Sequence, residues 1–99
     1  MPRSLAKQRE SSVETHLRER IESIGGICIK IKDPARRGIP DRLVLVPWRG
    51  VYFVELKRPR KGILADHQAR YHRDLRLLGQ TVLTLWSKTE VDSFVNGLA

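Results

Sequence analysis

The sequence is poor in cysteine, in long apolar runs and in acidic residues, and each shortage excludes a class of protein. Cys28 is the single cysteine among 99 residues, which rules out an internal disulfide and any cysteine-based zinc cluster. No apolar run approaches the roughly 20 residues that cross a bilayer, and the first ten residues lack an apolar signal core. We therefore expect an intracellular protein with no membrane contact.

The shortage of acidic residues leaves the chain strongly basic. It has 19 Lys and Arg against 11 Asp and Glu, a net charge of +8 and a pI near 10.4. Such an excess is typical of proteins that bind a polyanion, most often nucleic acid, and the other interpretation is a surface that only favours solubility. The length and the apolar fraction of 40% predict one globular domain over residues 1–99.

The hydrophobic periodicity predicts the order α-β-β-β-α-β, followed by a short C-terminal helix. The expected helices cover 11–26 and 64–79 and follow Ser87, and the expected strands cover 27–32, 42–47, 51–57 and 80–86. A helix between the last two strands predicts that these strands are parallel. The fold class is α/β, a mixed β-sheet flanked by helices. Residues 1–10 are polar and basic, and they are interpreted as an arm or a frayed helix start.

Two carboxylates are expected to meet at the open end of a β-hairpin. Asp41 precedes the first hairpin strand, and Glu55 and Lys57 end the second. Because a hairpin brings its two open ends together, Asp41 should lie near Glu55 and Lys57. Two converging carboxylates suit a hard divalent cation, Mg²⁺ or Mn²⁺. The main-chain carbonyl of Leu56 is a further candidate ligand, because its side chain points to the opposite face.

Lys57 would add a positive charge beside the proposed cation. That charge could stabilise a phosphodiester transition state, or orient and help deprotonate the attacking water. The parts together predict a metal-dependent nuclease. The alternative is an exposed Glu55–Lys57 pair that stabilises the strand end by well under about 1 kcal/mol.

Two loops beside this site are rich in basic residues. We expect them to contact the phosphate backbone, although a solvated charged face is the alternative. The residues concerned are Arg36, Arg37, Arg58, Arg60 and Lys61.

Several other residues carry weaker signals. Gln68 lies inside the apolar stripe of the second long helix, where a buried amide needs partners, so it belongs either to the site or to a core hydrogen bond. His67 and His72 are five residues apart, which does not suit one helical face, and with His16 they are interpreted as surface or DNA-facing. Trp48, at the hairpin tip, is a dimer contact, a wedge into DNA or a cover for the sheet end.

The segments "RRGIPDRLVL" and "GVYFVELKRPRKGILADHQARYHRDLRLLGQTVLTL" resemble the VRR-NUC family of PD-(D/E)xK nucleases. Members of that family carry a G-x-P-D segment, an ExK strand and a helix bearing glutamine. The resemblance runs from about Glu14 to Trp86, and the matching residues are Gly38, Pro40, Asp41, Glu55, Lys57 and Gln68. It implies a restriction-endonuclease-like fold.

The resemblance also implies roles for individual residues. Asp41 and Glu55 would bind the metal, Lys57 would be the catalytic lysine, and Gln68 would orient Lys57 or the water. Glu14 would be the acid of the first helix, contacting the metal directly or through water. Another interpretation of Glu14 is a capping-box acid for Ser11.

Freestanding, phage-type members of the family resemble Holliday-junction resolvases and act as dimers. The resemblance therefore implies branched or junction DNA as substrate, a homodimer, and action in the cytoplasm, or in the host cytoplasm if a phage encodes the protein. Two alternatives stay open. One is a basic nucleic-acid-binding module without catalytic activity, and the other is a small module that binds an acidic protein.

Overall fold

The structure, a computed structural model, describes residues 11–32, 38–57 and 64–98, and the elements there follow the predicted order. The arm expected at residues 1–10 lies outside the described residues. The elements are α1 (Ser12–Ser23), β1 (Ile27–Lys30), β2 (Arg42–Val46), β3 (Gly50–Leu56), α2 (Asp66–Leu77), β4 (Thr81–Leu85) and α3 (Lys88–Asn96).

The four strands form one mixed sheet with the order β1-β2-β3-β4. The pairs β1–β2 and β2–β3 are antiparallel, and the second is the predicted hairpin, with Val44 opposite Tyr52. The pair β3–β4 is parallel, with Val54 opposite Leu83, which confirms the prediction from the intervening helix. A mixed α/β sheet with helices packed on it is therefore confirmed.

The first helix begins with the capping box that its sequence predicts. Ser11 accepts a hydrogen bond from the Glu14 amide at 3.1 Å, and the Glu14 carboxylate accepts one from the Ser11 amide at 2.8 Å. This reciprocal pair satisfies two amides that a helix start leaves without intrahelical partners. Gly25, at φ 88°, ends the helix in the left-handed conformation that glycine adopts without strain.

The apolar core lies on one face of the sheet, beneath α1 and α3. Alternate residues of β2 and β3 point toward these helices. The buried members are Leu17, Ile21, Val44, Val46, Val54, Leu85, Val91 and Val95. Cys28 packs against this cluster from the edge strand.

A polar cluster on the surface joins α1 to α3, and it is called the interhelix cluster below. Asp92 accepts from Arg20 Nη1 at 2.7 Å, and its Oδ1 lies 2.6 Å from His16 Nε2. Arg20 Nη2 also donates to Asn96 at 2.8 Å. The hydrogen bond with His16, followed by the interaction with Arg20, holds the pKa of the Asp92 carboxyl below its ordinary value of 3.8. His16, predicted at the surface, is there but is partly buried against Asp92.

The opposite face of the sheet is covered less completely. Helix α2 lies over β3 and β4, where it contacts Glu55, the residue that follows the core residue Val54. On the edge strand, Ile27 and Ile29 point away from the core and are exposed, as is Val51 on β3.

The apolar stripe predicted on α2 is wrong at its C-terminal end. Leu78, the last residue of that predicted stripe, follows the last helical residue and is 76% exposed. The buried residue of α2 is His72, so its predicted surface position is also wrong. Along the described ranges, no helix has the length and apolarity needed to span a membrane.

Candidate active site

The segment before β2 is pressed against the start of α2. Gly38 has φ 94°, and a Cβ there would come within 2.5 Å of the His67 carbonyl oxygen. Only glycine fits both this conformation and this contact. The following Pro40 is fully buried. The G-x-P-D segment is therefore fixed against α2, and it delivers Asp41 to the sheet end that α2 covers.

Asp41 and Glu55 meet at the open end of the hairpin, as predicted. The register pairs Arg42 with Val54, so the next residues outward, Asp41 and Glu55, are neighbours on the face covered by α2. Oδ2 of Asp41 accepts a hydrogen bond from the Leu56 amide at 2.9 Å. This bond fixes one oxygen of the Asp41 carboxylate beside that of Glu55. The side chain of Leu56 packs against the core on the other face.

Glu55 is buried, with 3% of its surface exposed. Burial and, second, the negative charge of Asp41 raise the pKa of its carboxyl from 4.5 to about 7, while Lys57 acts in the opposite direction. A proton or a cation therefore neutralises Glu55 more readily than it neutralises an exposed carboxylate. Oε1 of Glu55 is buried and has no hydrogen-bond partner within the described ranges.

Gln68 connects Glu55 with Lys57. Its Oε1 accepts from Lys57 Nζ at 2.8 Å, and its Nε2 donates to Glu55 Oε2 at 3.1 Å. The same Oε1 accepts from the amide of Ala65 at 3.0 Å, which fixes the glutamine at the helix start. Lys57 Nζ lies 3.5 Å from Glu55 Oε2. The glutamine from α2 thus orients both charged residues of β3.

His72 is the residue near the site that the sequence did not reveal. It is completely buried, and its Nε2 lies 3.9 Å from Oε1 of Glu55. Burial lowers the pKa of its imidazole, and the positive charges of Arg76 and Lys57 lower it further. The usable signal was the four-residue spacing from Gln68, which places both side chains on one helical face.

Glu14 is held by other partners. Its Oε1 caps α1 at Ser11, and its Oε2 lies 3.2 Å from Arg42 Nη2. Arg42 points to the core face of the sheet, opposite the face on which Glu55 lies. The capping role is confirmed, and contact with a metal stays a prediction.

The donor set for a cation is small. Within residues 11–32, 38–57 and 64–98, no cluster of three or more His, Cys, Asp or Glu side chains could hold a metal. Asp41 and Glu55 are the two converging carboxylates. Mg²⁺ is commonly held by one or two carboxylates together with water and substrate phosphate, so this pair fits such an ion. The basic residues predicted to contact DNA, Arg36, Arg37, Arg58, Arg60 and Lys61, lie outside the described residues.

Comparison with known proteins found a phage protein and a solved domain. "Putative nuclease p44" of Acyrthosiphon pisum secondary endosymbiont phage 1 is 44% identical over 80 residues, covering 81% of this chain and 85% of that protein. A solved structure described as a VRR_NUC domain matches with a TM-score of 0.81 and 34% identity, covering 91% of this chain and 97% of that one. No family model matches the chain.

Proposed function

Because this chain belongs to the VRR-NUC family of nucleases, we propose that it is a divalent-metal-dependent endonuclease that cuts branched DNA, in the manner of a Holliday-junction resolvase. The cation is Mg²⁺ or Mn²⁺, held by Asp41 and Glu55. Lys57 is the catalytic lysine and Gln68 its positioning residue. The carbonyl of Leu56 and the carboxylate of Glu14 are the further candidate ligands.

The pairing of Asp41 with Glu55 is the observation that carries the proposal. Two like charges side by side, one of them buried, destabilise each other unless a proton or a cation neutralises them. Burial first, and repulsion by Asp41 second, raise the pKa of Glu55 to about 7. Perturbed carboxyl groups of this kind are more frequent in functional sites than in structural ion pairs.

The residues of the site divide the chemistry between them. A divalent cation bound here supplies positive charge to the scissile phosphate and to the attacking water. Lys57 Nζ adds a second positive charge, directed by its 2.8 Å bond to Gln68, where negative charge develops on the phosphate. Glu55 and Asp41 hold the cation, and the Leu56 amide prevents Asp41 from rotating away.

A cleavage assay tests the proposal directly. The pure protein is incubated with labelled duplex, flap and four-way-junction DNA, in EDTA, Mg²⁺ or Mn²⁺, beside an Asp41→Asn, Glu55→Gln double variant. We expect symmetric paired nicks in the junction, only with metal and only with both carboxylates. Cutting of flaps alone would keep the chemistry and remove the junction preference. Full cleavage by the double variant would refute the metal site.

The same assay separates the nuclease from a binding module without chemistry. A binding module would hold DNA with a steep dependence on salt concentration and cut nothing with either metal. Symmetric cutting of a junction also needs two sites related by a two-fold axis. Light scattering should therefore show a homodimer, and a strictly monomeric protein would favour flap or nick cutting.

A further inference from the structure

Two buried polar groups face each other between β3 and α2 without a hydrogen bond. His72 is 0% exposed, and neither ring nitrogen has a partner in the described part of the chain. Oε1 of Glu55 is in the same condition. Their separation of 3.9 Å exceeds hydrogen-bond range by roughly 1 Å. Leaving buried polar groups without hydrogen bonds is destabilising, so packing alone does not explain a histidine at this position.

The two oxygens of Glu55 face two consecutive turns of one helix. Gln68 donates to Oε2, and His72, four residues later on the same helical face, is directed at Oε1. Gln68 also binds Lys57, whereas His72 faces Glu55. Helix α2 therefore places one side chain opposite each oxygen of the Glu55 carboxylate. The Gln68 contact is a hydrogen bond, whereas the His72 contact is longer than a hydrogen bond by about 1 Å.

We propose that His72 is a positioning residue of the nuclease site. Its Nε2–H faces Oε1 of Glu55 at 3.9 Å, and by moving closer by about 1 Å it donates a hydrogen bond that fixes that carboxylate for the divalent cation. This role rests on the function proposed above. A neutral imidazole has one N–H and one acceptor nitrogen. An Nε2–H faces Oε1 of Glu55 as an acceptor, whereas an Nδ1–H would be a buried donor with no acceptor among the described residues. Hydrogen bonds of this kind to metal-binding carboxylates orient the ligand.

Calorimetric titration of Mn²⁺ into the full chain tests the role without measuring cleavage. His72→Leu fills the same space without a donor, and we expect its Mn²⁺ affinity to fall about 10- to 100-fold. His72→Gln places an amide nitrogen near the position of Nε2, and its affinity should stay close to that of the unaltered protein. His67→Leu is the matched control, because a spacing of five residues places it on a different face of the same helix from His72, and it should leave the Mn²⁺ affinity unchanged.

The outcomes separate this inference from the proposed function. Equal affinity in the unaltered protein and His72→Leu would overturn the role of His72 while leaving the metal site standing. An equal loss in His72→Leu and His72→Gln would also overturn it, because disturbed packing would then be the cause. If the unaltered protein bound no Mn²⁺, the metal site itself would be refuted, and the positioning role with it.

A spectroscopic measurement on the unaltered protein does not depend on any variant folding. Long-range ¹⁵N–¹H correlation of the imidazole rings identifies which nitrogen carries the proton. In metal-free protein, above the pKa of Glu55, we expect His72 to carry it on Nε2, with a proton that exchanges slowly with water. A proton on Nδ1 would overturn the inference.

Discussion

The molecule contains two acid-centred clusters with almost the same composition and opposite electrostatics. In the interhelix cluster, Asp92 is surrounded by a histidine, an arginine and an asparagine amide bound to that arginine. In the site, Glu55 is surrounded by a histidine, a lysine and a glutamine amide bound to that lysine. The pKa of Asp92 is lowered, whereas that of Glu55 is raised to about 7.

Burial and a second carboxylate explain the difference. Asp92 keeps contact with water, so its hydrogen bonds and positive neighbours favour the ionised form. Glu55 lies beneath α2 beside Asp41, and the cost of desolvation exceeds the attraction of Lys57. The same residue types therefore form an ion-paired surface cluster in one place and a buried carboxyl group with a raised pKa in the other. The residue types present do not distinguish the two clusters, whereas the raised pKa of a buried carboxyl group makes Glu55 the candidate for a functional site.

The two clusters can be distinguished most clearly by removing the positively charged side chain from each. Lys57→Met should lower the rate of DNA cleavage about 10²- to 10³-fold, because a group that stabilises developing charge in the transition state is lost. Arg20→Met removes the corresponding positive charge of the interhelix cluster and should leave the rate of cleavage unchanged. Single-turnover kinetics at saturating Mg²⁺ measure both rates. A near-normal rate in Lys57→Met would contradict the role of the lysine.

The stability of the metal-free protein should fall as pH rises from 4.5 to about 7, the ordinary and the folded pKa of Glu55. Over this window the unfolded chain loses the Glu55 proton and the folded protein retains it, so the free energy of unfolding decreases. The decrease should be on the order of 3 kcal/mol, since one pKa unit corresponds to about 1.4 kcal/mol. Urea unfolding in EDTA measures it, and Glu55→Gln should abolish it.

At lower pH, Asp92 should give the free energy of unfolding the opposite dependence on pH. Its lowered pKa contributes stability that is fully present above 3.8 and is lost as the pH falls through the lower folded value. The Asp92→Asn variant should lack this acid-side loss while keeping the fall between 4.5 and about 7. If Asp92→Asn and Glu55→Gln showed the same dependence of the free energy of unfolding on pH, the contrast between the two clusters would be wrong.

Mg²⁺ should stabilise the protein more strongly above the pKa of Glu55 than below it. The cation binds ionised carboxylates, so at low pH it must displace the proton on Glu55. At a concentration 100 times its dissociation constant, a ligand of the folded state stabilises by about 2.7 kcal/mol. Thermal unfolding with Mg²⁺ at pH values on either side of 7 measures the difference, with Asp41→Asn as control. Equal stabilisation at both pH values would contradict the assignment of Glu55 as a ligand.

The smallest expected change in stability comes from a substitution in the interhelix cluster. Asp92→Asn should lower the Tm slightly, and the difference should shrink in high salt, because exposed ion pairs are screened by dissolved ions. Cleavage of DNA should be unaffected. Loss of cleavage in a folded Asp92→Asn variant would show that the two clusters are coupled through the sheet.

The predictable part of the site is the part that one hairpin brings together. The positions of Asp41, Glu55 and Lys57 follow from the turn between two alternating strands, since a hairpin closes its open end whatever packs on it. The crossover helix predicted the parallel pair and brought Gln68 to the same end. In each of these cases, local pattern and chain connectivity were sufficient.

The unpredicted part depends on which surfaces cover each other. The alternation in β1 separates Ile27 and Ile29 from Cys28, but it does not show that the isoleucines would face outward. That outcome depends on α2 covering β3 and β4. His72 was missed for the same reason, because α2 is mostly polar and its buried face is set by what it meets. The spacing from Gln68 was informative only once Glu55 was known to lie opposite both.

The parallel pairing of β3 with β4 has a consequence for synthesis of the protein. Glu55 and Lys57 come from β3, but Gln68 and His72 come from α2, and the Lys57 amide bonds the carbonyl of Leu85 on β4. A ribosome must therefore translate through β4 before these groups can be held in one place. A growing chain that ends within α2 has the hairpin carboxylates but lacks the strand that anchors the crossover. The assembled candidate site is thus a late product of translation, because it forms only once β4 has paired with β3.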